Sequence, residues 1–433
     1  MGARTASNPA NLARRLVVCA CALLLGACVS GRTYRTHFDA NAPCVASDNE
    51  ACAGEVFTRV APAPGSDAVA RMGFVEFDDQ GYLRDRGMKN ALLAQLGELE
   101  RKQPVLLIAF AHGWKHNADP RDGNVAKFRD LLTRLAAADA RLCDGRPHCQ
   151  PRQVVGVYLG WRGLSWRVGK NLTFWQRKAS AERVGSDGAS EVLQQLDKVA
   201  SARASQYIIL GHSFGGALAF SAVDQLLMES LITPRGGHAV SRTVANLVVL
   251  VNPAFEAARF HALRERAAEI PFVPGQRPLF AVFTSRADWA TRQAFPVGRT
   301  LGTLGSEYTN PTQRREDRTT IGHYAPFWTH RLEHRDVPKM LAGADARAVA
   351  CGFKDYQFGR DGKNDWSAGP ATLERLPAIL TSEPSRFNPL MIVRVDGTLI
   401  GGHNDIWNDD FTEFLYRFLV AQDAQGCPRD AVD

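Results

Sequence analysis

The chain has 433 residues, of which 45% are apolar and 22% are charged. This composition is ordinary for a globular protein, so it excludes a disordered chain, a collagen-like chain and a polytopic membrane protein. The formal charge is +7, and three of the positive charges lie in residues 1–27, so the remainder carries +4. Lysines and arginines are scattered and form no basic stripe, so the charge predicts no nucleic-acid partner.

The N-terminus has the pattern of a targeting segment. Arg14 and Arg15 precede an apolar run, Leu16 to Leu25, which is followed by small residues. The run has about ten residues, whereas a membrane-spanning helix needs about 20. A basic stretch, a short apolar stretch and small residues predict a signal peptide over residues 1–27.

The sequence Leu25-Gly26-Ala27-Cys28 resembles the lipobox of bacterial lipoproteins. In that family the cysteine is acylated and becomes the first residue of the mature chain. The resemblance therefore implies a lipid anchor on Cys28. Because Val29 rather than an aspartate follows, it also implies sorting to the outer membrane, and thus a cell-envelope location. A plain cleavable signal peptide, with secretion, is the alternative.

Nine cysteines divide into three groups under this reading. Cys19 and Cys21 leave with the signal peptide, and Cys28 carries the lipid. The remaining six are expected to pair, because an exported protein meets an oxidising compartment. Proximity in sequence favours two of the three expected pairs among fifteen possible connectivities. The expected pairs are Cys44–Cys52, Cys143–Cys149 and Cys351–Cys427. No Cys-x-x-Cys or clustered histidine accompanies them, which disfavours a zinc site.

Apolar runs alternate with helical segments after a tether over residues 28–70, which is rich in Ala, Pro, Gly, Ser and Thr. The predicted strands cover residues 72–77, 105–110, 154–159, 207–210, 247–251, 279–283 and 390–395. The predicted helices cover residues 88–102, 122–139, 186–203, 214–230 and 408–421. Strands alternating with helices of this length are typical of βαβ units. The sequence therefore predicts an α/β protein with a doubly wound, mostly parallel sheet.

Residues 294–388 interrupt this alternation. They contain many Pro, Gly, Arg and aromatic residues and show little periodicity. A structureless loop of such length is improbable in a compact domain. We therefore expect a long insertion before the last strand, serving as a lid or substrate wall, within one domain over residues 71–422. A C-terminal tail over residues 423–433 completes the chain.

Gly211-His212-Ser213-Phe214-Gly215 lies between a predicted strand and a predicted helix. Glycines allow the tight turn that lifts a serine hydroxyl above a sheet, and this strand–turn–helix context makes the motif specific. A glycine-rich turn with Ser213 as a helix N-cap is the alternative interpretation.

Through this motif the chain resembles α/β-hydrolases of the lipase and esterase type, over about residues 100–290 and 388–422. The resemblance implies that Ser213 is the nucleophile. His112-Gly113-Trp114, at the end of an earlier strand, matches a second family motif. It implies an oxyanion hole formed by the backbone N–H groups of Trp114 and Phe214. His116 and Asn117 follow this motif and are candidates for the pocket lining.

The family order of serine, acid and histidine locates the other catalytic residues. Asp288, after the strand 279–283, is the predicted acid, and Glu256 is the alternative. His403, in the glycine-containing loop after the last strand, is the predicted base. Its rivals lie inside the insertion: His323, His330 and His334. Asp288 and His403 are 115 residues apart, and the insertion accounts for that spacing.

These residues predict a serine hydrolase that cleaves carboxylic esters, lipid-like esters included, without a metal or cofactor. The expected partners are an ester substrate and, through acylation, a membrane. Hydrolysis of a thioester or amide is the alternative chemistry, and a non-catalytic envelope lipoprotein is the alternative class. The aromatic cluster Trp161, Trp166, Phe174 and Trp175 is either a pocket wall or part of the core.

Overall fold

A ten-stranded β-sheet organises the protein. The computed structural model describes residues 31, 33–35, 56–143, 149–165, 173–201, 204–232, 244–270, 278–334, 378–382 and 389–421. The strands are β1 (Thr58–Val60), β2 (Ala70–Glu76), β3 (Val105–Ala111), β4 (Gln153–Gly160), β5 (Gln206–His212), β6 (Leu247–Val251), β7 (Phe280–Ser285), β8 (His330–His334), β9 (Ala378–Ser382) and β10 (Leu390–Val395).

The strand order is β1-β2-β4-β3-β5-β6-β7-β10-β8-β9. Every neighbouring pair from β2 to β8 in this order is parallel. Only the outermost pairs, β1 with β2 and β8 with β9, are antiparallel. The doubly wound, mostly parallel sheet predicted from the sequence is confirmed.

Helices cover both faces of this sheet. They are α1 (Arg86–Lys102), α2 (Gly123–Arg141), α3 (Phe174–Val184), α4 (Ser190–Val199), α5 (Phe214–Ile232), α6 (His261–Glu269), α7 (Phe295–Gly302), α8 (Pro311–Arg318) and α9 (Asp409–Ala421). Apolar side chains of α1, α3, α4, α5 and α6 form the core on one face. Those of α2 and α9 form the core on the other face.

Strand β3 shows why the sheet needs both helical layers. All seven of its residues are fully buried. Val105, Leu107 and Ala109 belong to one core, while Leu106 and Ile108 belong to the other. Successive side chains of a strand point to opposite faces, so a strand covered on both sides is apolar throughout.

The helix predicted over residues 186–203 is longer and begins earlier in the structure. Helix α3 continues through a π-helical segment, Gly185–Ala189, directly into α4. The segment packs tightly on α5, because a Cβ on Gly185 would lie 2.3 Å from the carbonyl oxygen of Leu218. Glycine has a low helical propensity, so the sequence did not predict that one continuous helix runs through this segment.

The folded domain begins before the predicted boundary at residue 71. Residues 58–60, which the sequence placed in a tether over residues 28–70, form the edge strand β1. Val56 and Phe57 are buried against the core of the first helical layer. A strand of three residues shows almost no alternation of apolar and polar positions, so the sequence did not distinguish it from the tether.

Part of the predicted insertion extends the sheet. Strand β8 pairs with β10, and β9 continues the sheet beyond it. The 294–388 segment therefore contributes two strands at one sheet edge, besides α7 and α8. A role of this segment as a lid stays a prediction.

One of the three predicted disulfides lies within the described residues. Cys143 and Cys149 are bonded and close a short loop between α2 and β4. The predicted pairs Cys44–Cys52 and Cys351–Cys427 lie outside the described residues, as do residues 1–27, Cys28 and residues 423–433. Within the ranges given above, no helix has the length and apolarity to cross a membrane.

Candidate active site

Ser213 occupies a sharp turn between β5 and α5. Its φ of 56° lies in the left-handed region, which a residue with a side chain adopts only under constraint. The turn also needs Gly215, since a Cβ there would lie 2.0 Å from the carbonyl oxygen of Ala111. The strained turn places the Ser213 side chain at the carboxyl edge of the sheet, at the N-terminal end of α5.

Ser213, His403 and Asp288 are joined by two hydrogen bonds. The Ser213 Oγ atom lies 2.7 Å from His403 Nε2, and His403 Nδ1 lies 2.9 Å from Asp288 Oδ2. Asp288 is fully buried, whereas the His403 side chain is 20% exposed. The three residues follow β5, β7 and β10, whose parallel carboxyl ends bring them to one edge.

The Asp288 carboxylate is held ionised by its neighbours. Burial alone would raise its pKa, but hydrogen bonds from His403 and Thr291 outweigh burial and lower the pKa below its usual value. Thr291 donates both its backbone N–H and its hydroxyl to this carboxylate. An ionised Asp288 accepts from Nδ1–H of His403, which leaves Nε2 as the acceptor facing Ser213.

Two backbone N–H groups flank the serine turn. Trp114 and Phe214 donate no backbone N–H to an acceptor among the described residues. Phe214 begins α5, so its N–H is one of the unpaired donors of a helix N-terminus. Next to Trp114, Lys115 has a φ of 73° and donates its N–H to the Gly163 carbonyl. Both predicted oxyanion donors thus lie at backbone positions with an N–H available.

His112 fixes the loop that carries Trp114. Its ring is fully buried and stacks on Trp161, with ring centroids 5.4 Å apart. The Trp161 backbone N–H donates to His112 Nε2, and the Trp161 indole donates to the His112 carbonyl. Burial lowers the pKa of His112 to about 4, so the ring is neutral and serves as an acceptor at neutral pH.

The loop carrying His403 is held by side chains from neighbouring strands. His212 Nε2 donates to the His403 carbonyl at 2.9 Å, and Asn252 Nδ2 donates to the same oxygen at 3.1 Å. The Asn252 Oδ1 atom accepts from the Ser285 backbone N–H, and Ser285 Oγ donates to the Ile400 carbonyl. These contacts fix the backbone of the loop rather than the imidazole itself.

Glu256, the alternative acid, has other partners. Its carboxylate pairs with Lys178 at 3.0 Å and with Arg299 at 3.3 Å. Glu256 and the Lys178 side chain are both buried, so this carboxylate is committed to an ion-pair network. The structure places Asp288, and not Glu256, against His403.

The three rival histidines also have other partners. His323 Nε2 bonds the Thr291 hydroxyl, behind the Asp288 carboxylate. His330 lies in β8, and its burial lowers its pKa to about 3. His334 pairs with Asp410 at 3.3 Å. Among the described residues, the only histidine nitrogen with a hydrogen bond to Ser213 Oγ is His403 Nε2.

A cavity of about 440 Å³ opens above Ser213 and His403. Aromatic side chains form much of its lining: Trp114, Phe174, Trp175 and Trp289. Phe174 contacts both Trp114 and Phe214, with centroids 5.2 and 4.7 Å apart. Pockets of this size with apolar walls and few polar groups are typical of small-molecule sites.

Some of the predicted lining residues lie elsewhere. His116 Nδ1 bonds Asp122 at 2.9 Å, and Asn117 Nδ2 donates to the Tyr34 hydroxyl. Both line a separate small cavity beside Glu76, so their prediction as pocket residues is wrong. Of the predicted aromatic cluster, Phe174 and Trp175 line the pocket, Trp161 supports the loop that carries Trp114, and Trp166 lies outside the described residues.

Several residues of the site have no motif in the sequence. Thr291 and Asn252 act through hydrogen bonds to Asp288 and to the His403 loop. His212 is inside the Gly-x-Ser-x-Gly motif, but nothing in the motif indicates its contact with residue 403. The placement of Asn252 directly after a buried strand was the one available clue, since carboxyl ends of parallel strands converge on the site.

A family model described as alpha/beta hydrolase of unknown function (DUF900) matches residues 127–326. The matched stretch includes Ser213 and Asp288 and ends before His403. Comparisons with curated proteins and with solved structures gave no match. The match and the sheet topology together give the chain an α/β-hydrolase fold.

Proposed function

We propose that this protein is a serine hydrolase that cleaves carboxylic esters through an acyl-enzyme on Ser213. The observation that carries the proposal is the continuous chain from Ser213 Oγ through His403 to Asp288, with distances of 2.7 and 2.9 Å. Both distances lie within the range in which a base can accept a proton from a nucleophile and be oriented by an acid.

The chemistry proceeds in two halves. His403 Nε2 takes the Ser213 proton as Oγ attacks the ester carbonyl carbon, and the resulting imidazolium returns the proton to the departing alcohol. His403 then takes a proton from water as the water oxygen attacks the acyl-enzyme, and it returns this proton to Ser213 Oγ as the carboxylic acid is released. Asp288 stabilises the imidazolium in both halves through its hydrogen bond to Nδ1.

The negative charge of each tetrahedral intermediate falls on the former carbonyl oxygen. In the proposed mechanism the Trp114 and Phe214 N–H groups donate to this oxygen. Donors that are fixed before the reaction need no reorganisation, and each is worth about 3 kcal/mol of barrier in comparable sites. The positive end of the α5 dipole adds to this stabilisation.

The pocket supports an apolar acyl or alcohol group. Its aromatic walls, formed by Phe174, Trp175 and Trp289, offer burial to hydrocarbon and few hydrogen-bond partners. Each CH₂ group removed from water stabilises binding by about 0.8 kcal/mol. We therefore expect esters with several methylene groups to be better substrates than acetate esters.

A fluorophosphonate probe tests the nucleophile directly. The wild-type protein should be labelled, and Ser213→Ala should not be labelled. Its kcat on p-nitrophenyl butyrate should fall by about 10⁴-fold, because the loss of a triad serine leaves only binding and oxyanion stabilisation. Ser186→Ala, which removes an exposed hydroxyl, is the matched control and should be labelled like wild type. Labelling that persists in Ser213→Ala, or none in wild type, contradicts the proposal.

We also propose that the protein is anchored to the cell envelope by acylation of Cys28, with the outer membrane as its location. The support is the sequence Leu25-Gly26-Ala27-Cys28 and the apolar run before it. Acyl chains at this position anchor a folded domain to a bilayer. Palmitate should be incorporated into wild type and into Cys21→Ser, but not into Cys28→Ser.

A further inference from the structure

Residues 289–304, which begin in the pocket wall, expose four large apolar side chains that we call the apolar ridge: Trp289, Val297, Leu301 and Leu304. Their exposed fractions are 63, 63, 65 and 74%. They are four of the six large apolar side chains that the described residues expose. A cluster of this kind on a surface marks a contact with another apolar phase or partner.

Trp289 precedes α7, and the other three ridge residues lie on the outer face of α7 and in the turn after it. Val297 and Leu301 are spaced by four residues, so they share one side of the helix, and Leu304 lies in the turn after it. The inner side carries Phe295, which is buried and contacts Trp175 of the pocket wall at a centroid distance of 5.3 Å. A surface helix normally places polar residues outward, and α7 does the opposite.

The ridge continues into the cavity above Ser213. Trp289 belongs to both, and Ala290 and Ala294, which directly precede α7 in the chain, also line the cavity. An apolar molecule bound at the ridge could thus reach Ser213 along apolar side chains. This continuity indicates that the partner of the ridge is the source of the substrate.

The exposed charges on the Trp289 side of the ridge are positive, whereas Glu307 is exposed after Leu304. Between residues 286 and 306 the exposed charged side chains are Arg286 and Arg292. The one acid of this stretch, Asp288, is buried and bonded to His403. Apolar side chains flanked by cations match a surface that has hydrocarbon beneath anionic head groups.

Tyr34 and Arg35 are bonded at the same edge of the sheet. The Tyr34 and Arg35 backbone N–H groups donate to the Glu76 carboxylate at the end of β2. The Tyr34 hydroxyl accepts from Asn117, in the loop that follows β3. Cys28 precedes Tyr34 by six residues, which span at most about 20 Å. A lipid on Cys28 would therefore keep the pocket edge of the sheet close to a bilayer.

We propose that the apolar ridge docks on an anionic lipid bilayer and that the substrate is an ester drawn from that bilayer. The identity of the substrate rests on the proposed ester hydrolysis, whereas docking itself does not depend on it. Docking places the ridge side chains below the head groups, Arg286 and Arg292 among the phosphates, and the mouth of the pocket at the hydrocarbon.

Vesicle binding tests the docking. The full chain carrying Cys28→Ser, which cannot be acylated there, is sedimented with phosphatidylcholine vesicles containing 20% phosphatidylglycerol. The ridge variant Val297→Ser/Leu301→Ser/Leu304→Ser in the same background should bind at least tenfold more weakly. Ile232→Ser, which removes an apolar side chain of 57% exposure from the end of α5, is the matched control and should bind unchanged. Vesicles of phosphatidylcholine alone should bind the parent chain more weakly.

Activity measurements separate the two proposals. The ridge variant should hydrolyse a long-chain ester dispersed in the vesicles at least tenfold more slowly, while its rate on soluble p-nitrophenyl butyrate stays within twofold. Equal vesicle binding by parent and ridge variant overturns the docking. A parent that dimerises through the ridge in gel filtration, with vesicle binding unaffected by the variant, overturns it as well. Absence of hydrolysis and labelling in every variant, with ridge-dependent vesicle binding retained, refutes only the ester hydrolase.

Discussion

The turn that carries Ser213 and the loop that carries His403 are joined by two hydrogen bonds, but they are built differently. The serine turn is encoded within five residues, from Gly211 to Gly215, between a strand and a helix. The histidine loop is held by side chains from other elements, namely His212 at the end of β5, Asn252 after β6 and Ser285 at the end of β7. The proposed nucleophile is thus positioned by local backbone geometry, and the proposed base by long-range contacts.

This difference predicts two kinds of sensitivity. The serine turn depends on close packing around a strained residue, so changes there affect folding and activity together. The histidine loop depends on side-chain hydrogen bonds from other strands, so its partners can be removed one at a time. Misplacing a catalytic group by about 1 Å can cost 10²-fold in rate without unfolding the protein.

The largest expected effect comes from the acid. Asp288→Asn should lower kcat by about 10⁴-fold, because an amide can donate to Nδ1 and so stabilise the wrong tautomer of His403. The carboxamide occupies the same volume, so the far-UV and near-UV circular dichroism should be unchanged. Steady-state kinetics on p-nitrophenyl butyrate measure the effect.

Glu256→Gln is the matched control for the acid. Glu256 is as buried as a catalytic acid, but its partners are Lys178 and Arg299. Removing one charge of a buried pair costs about 3 kcal/mol, so urea unfolding should show a lower free energy of unfolding. Its kcat should stay within fivefold of wild type. Equal losses of kcat in the two variants would refute Asp288 as the acid.

A smaller effect is expected from Asn252. Its φ of 46° suits glycine, so Asn252→Gly removes the side chain without adding backbone strain. With the bonds to His403 and Ser285 lost, kcat should fall about 10- to 100-fold while KM changes little. This split identifies a positioning residue, because a binding residue would raise KM instead.

Asn246→Ala provides the comparison for Asn252. The Asn246 side chain accepts the Tyr207 backbone N–H, so it links the same two strands, β5 and β6, away from the site. Both variants should lose about 1–2 kcal/mol of stability, as measured by urea unfolding. A similar loss of kcat in Asn246→Ala would show that the effect of Asn252 is structural and not specific to the loop.

The same contrast between local and long-range contacts explains what the sequence could predict. The sheet and the serine turn follow from patterns within ten residues, namely apolar runs such as 105–110 and the glycines around Ser213. Asp288 and His403 could be located because chain order in a parallel sheet places loops after strands at one edge.

The side chains that hold Asp288 and the His403 loop from other strands show no such pattern in the sequence. Thr291, Asn252 and Ser285 belong to no recognisable motif, and only the fold brings them to Asp288 and to the loop of His403. His116 shows the reverse case, since its position after β3 suggested the pocket, but its bond to Asp122 turns it away. Strand β1 was missed because three residues at an edge carry too little periodicity.

The smallest effect on rate is expected at His212, which belongs to both regions of the comparison. It precedes Ser213 in the turn, and its Nε2–H donates to the His403 carbonyl. Glutamine can supply a similar N–H donor, so His212→Gln should lower kcat less than tenfold at pH 7, whereas His212→Leu should lower it further.

The decisive measurement for His212 is its contribution to stability at different pH values. Burial and the nearby His403 lower the pKa of His212 to about 3, against about 6.5 in the unfolded chain. Below pH 6.5 the unfolded state therefore binds a proton that the folded state does not, and stability falls as the pH falls. Between pH 7 and pH 5 wild type should lose about 2 kcal/mol more than His212→Gln in urea unfolding. Identical losses would mean that His212 is protonated in the folded protein. A charged imidazole at this position would act electrostatically on both Ser213 and His403, because His212 lies in the serine turn and contacts the histidine loop.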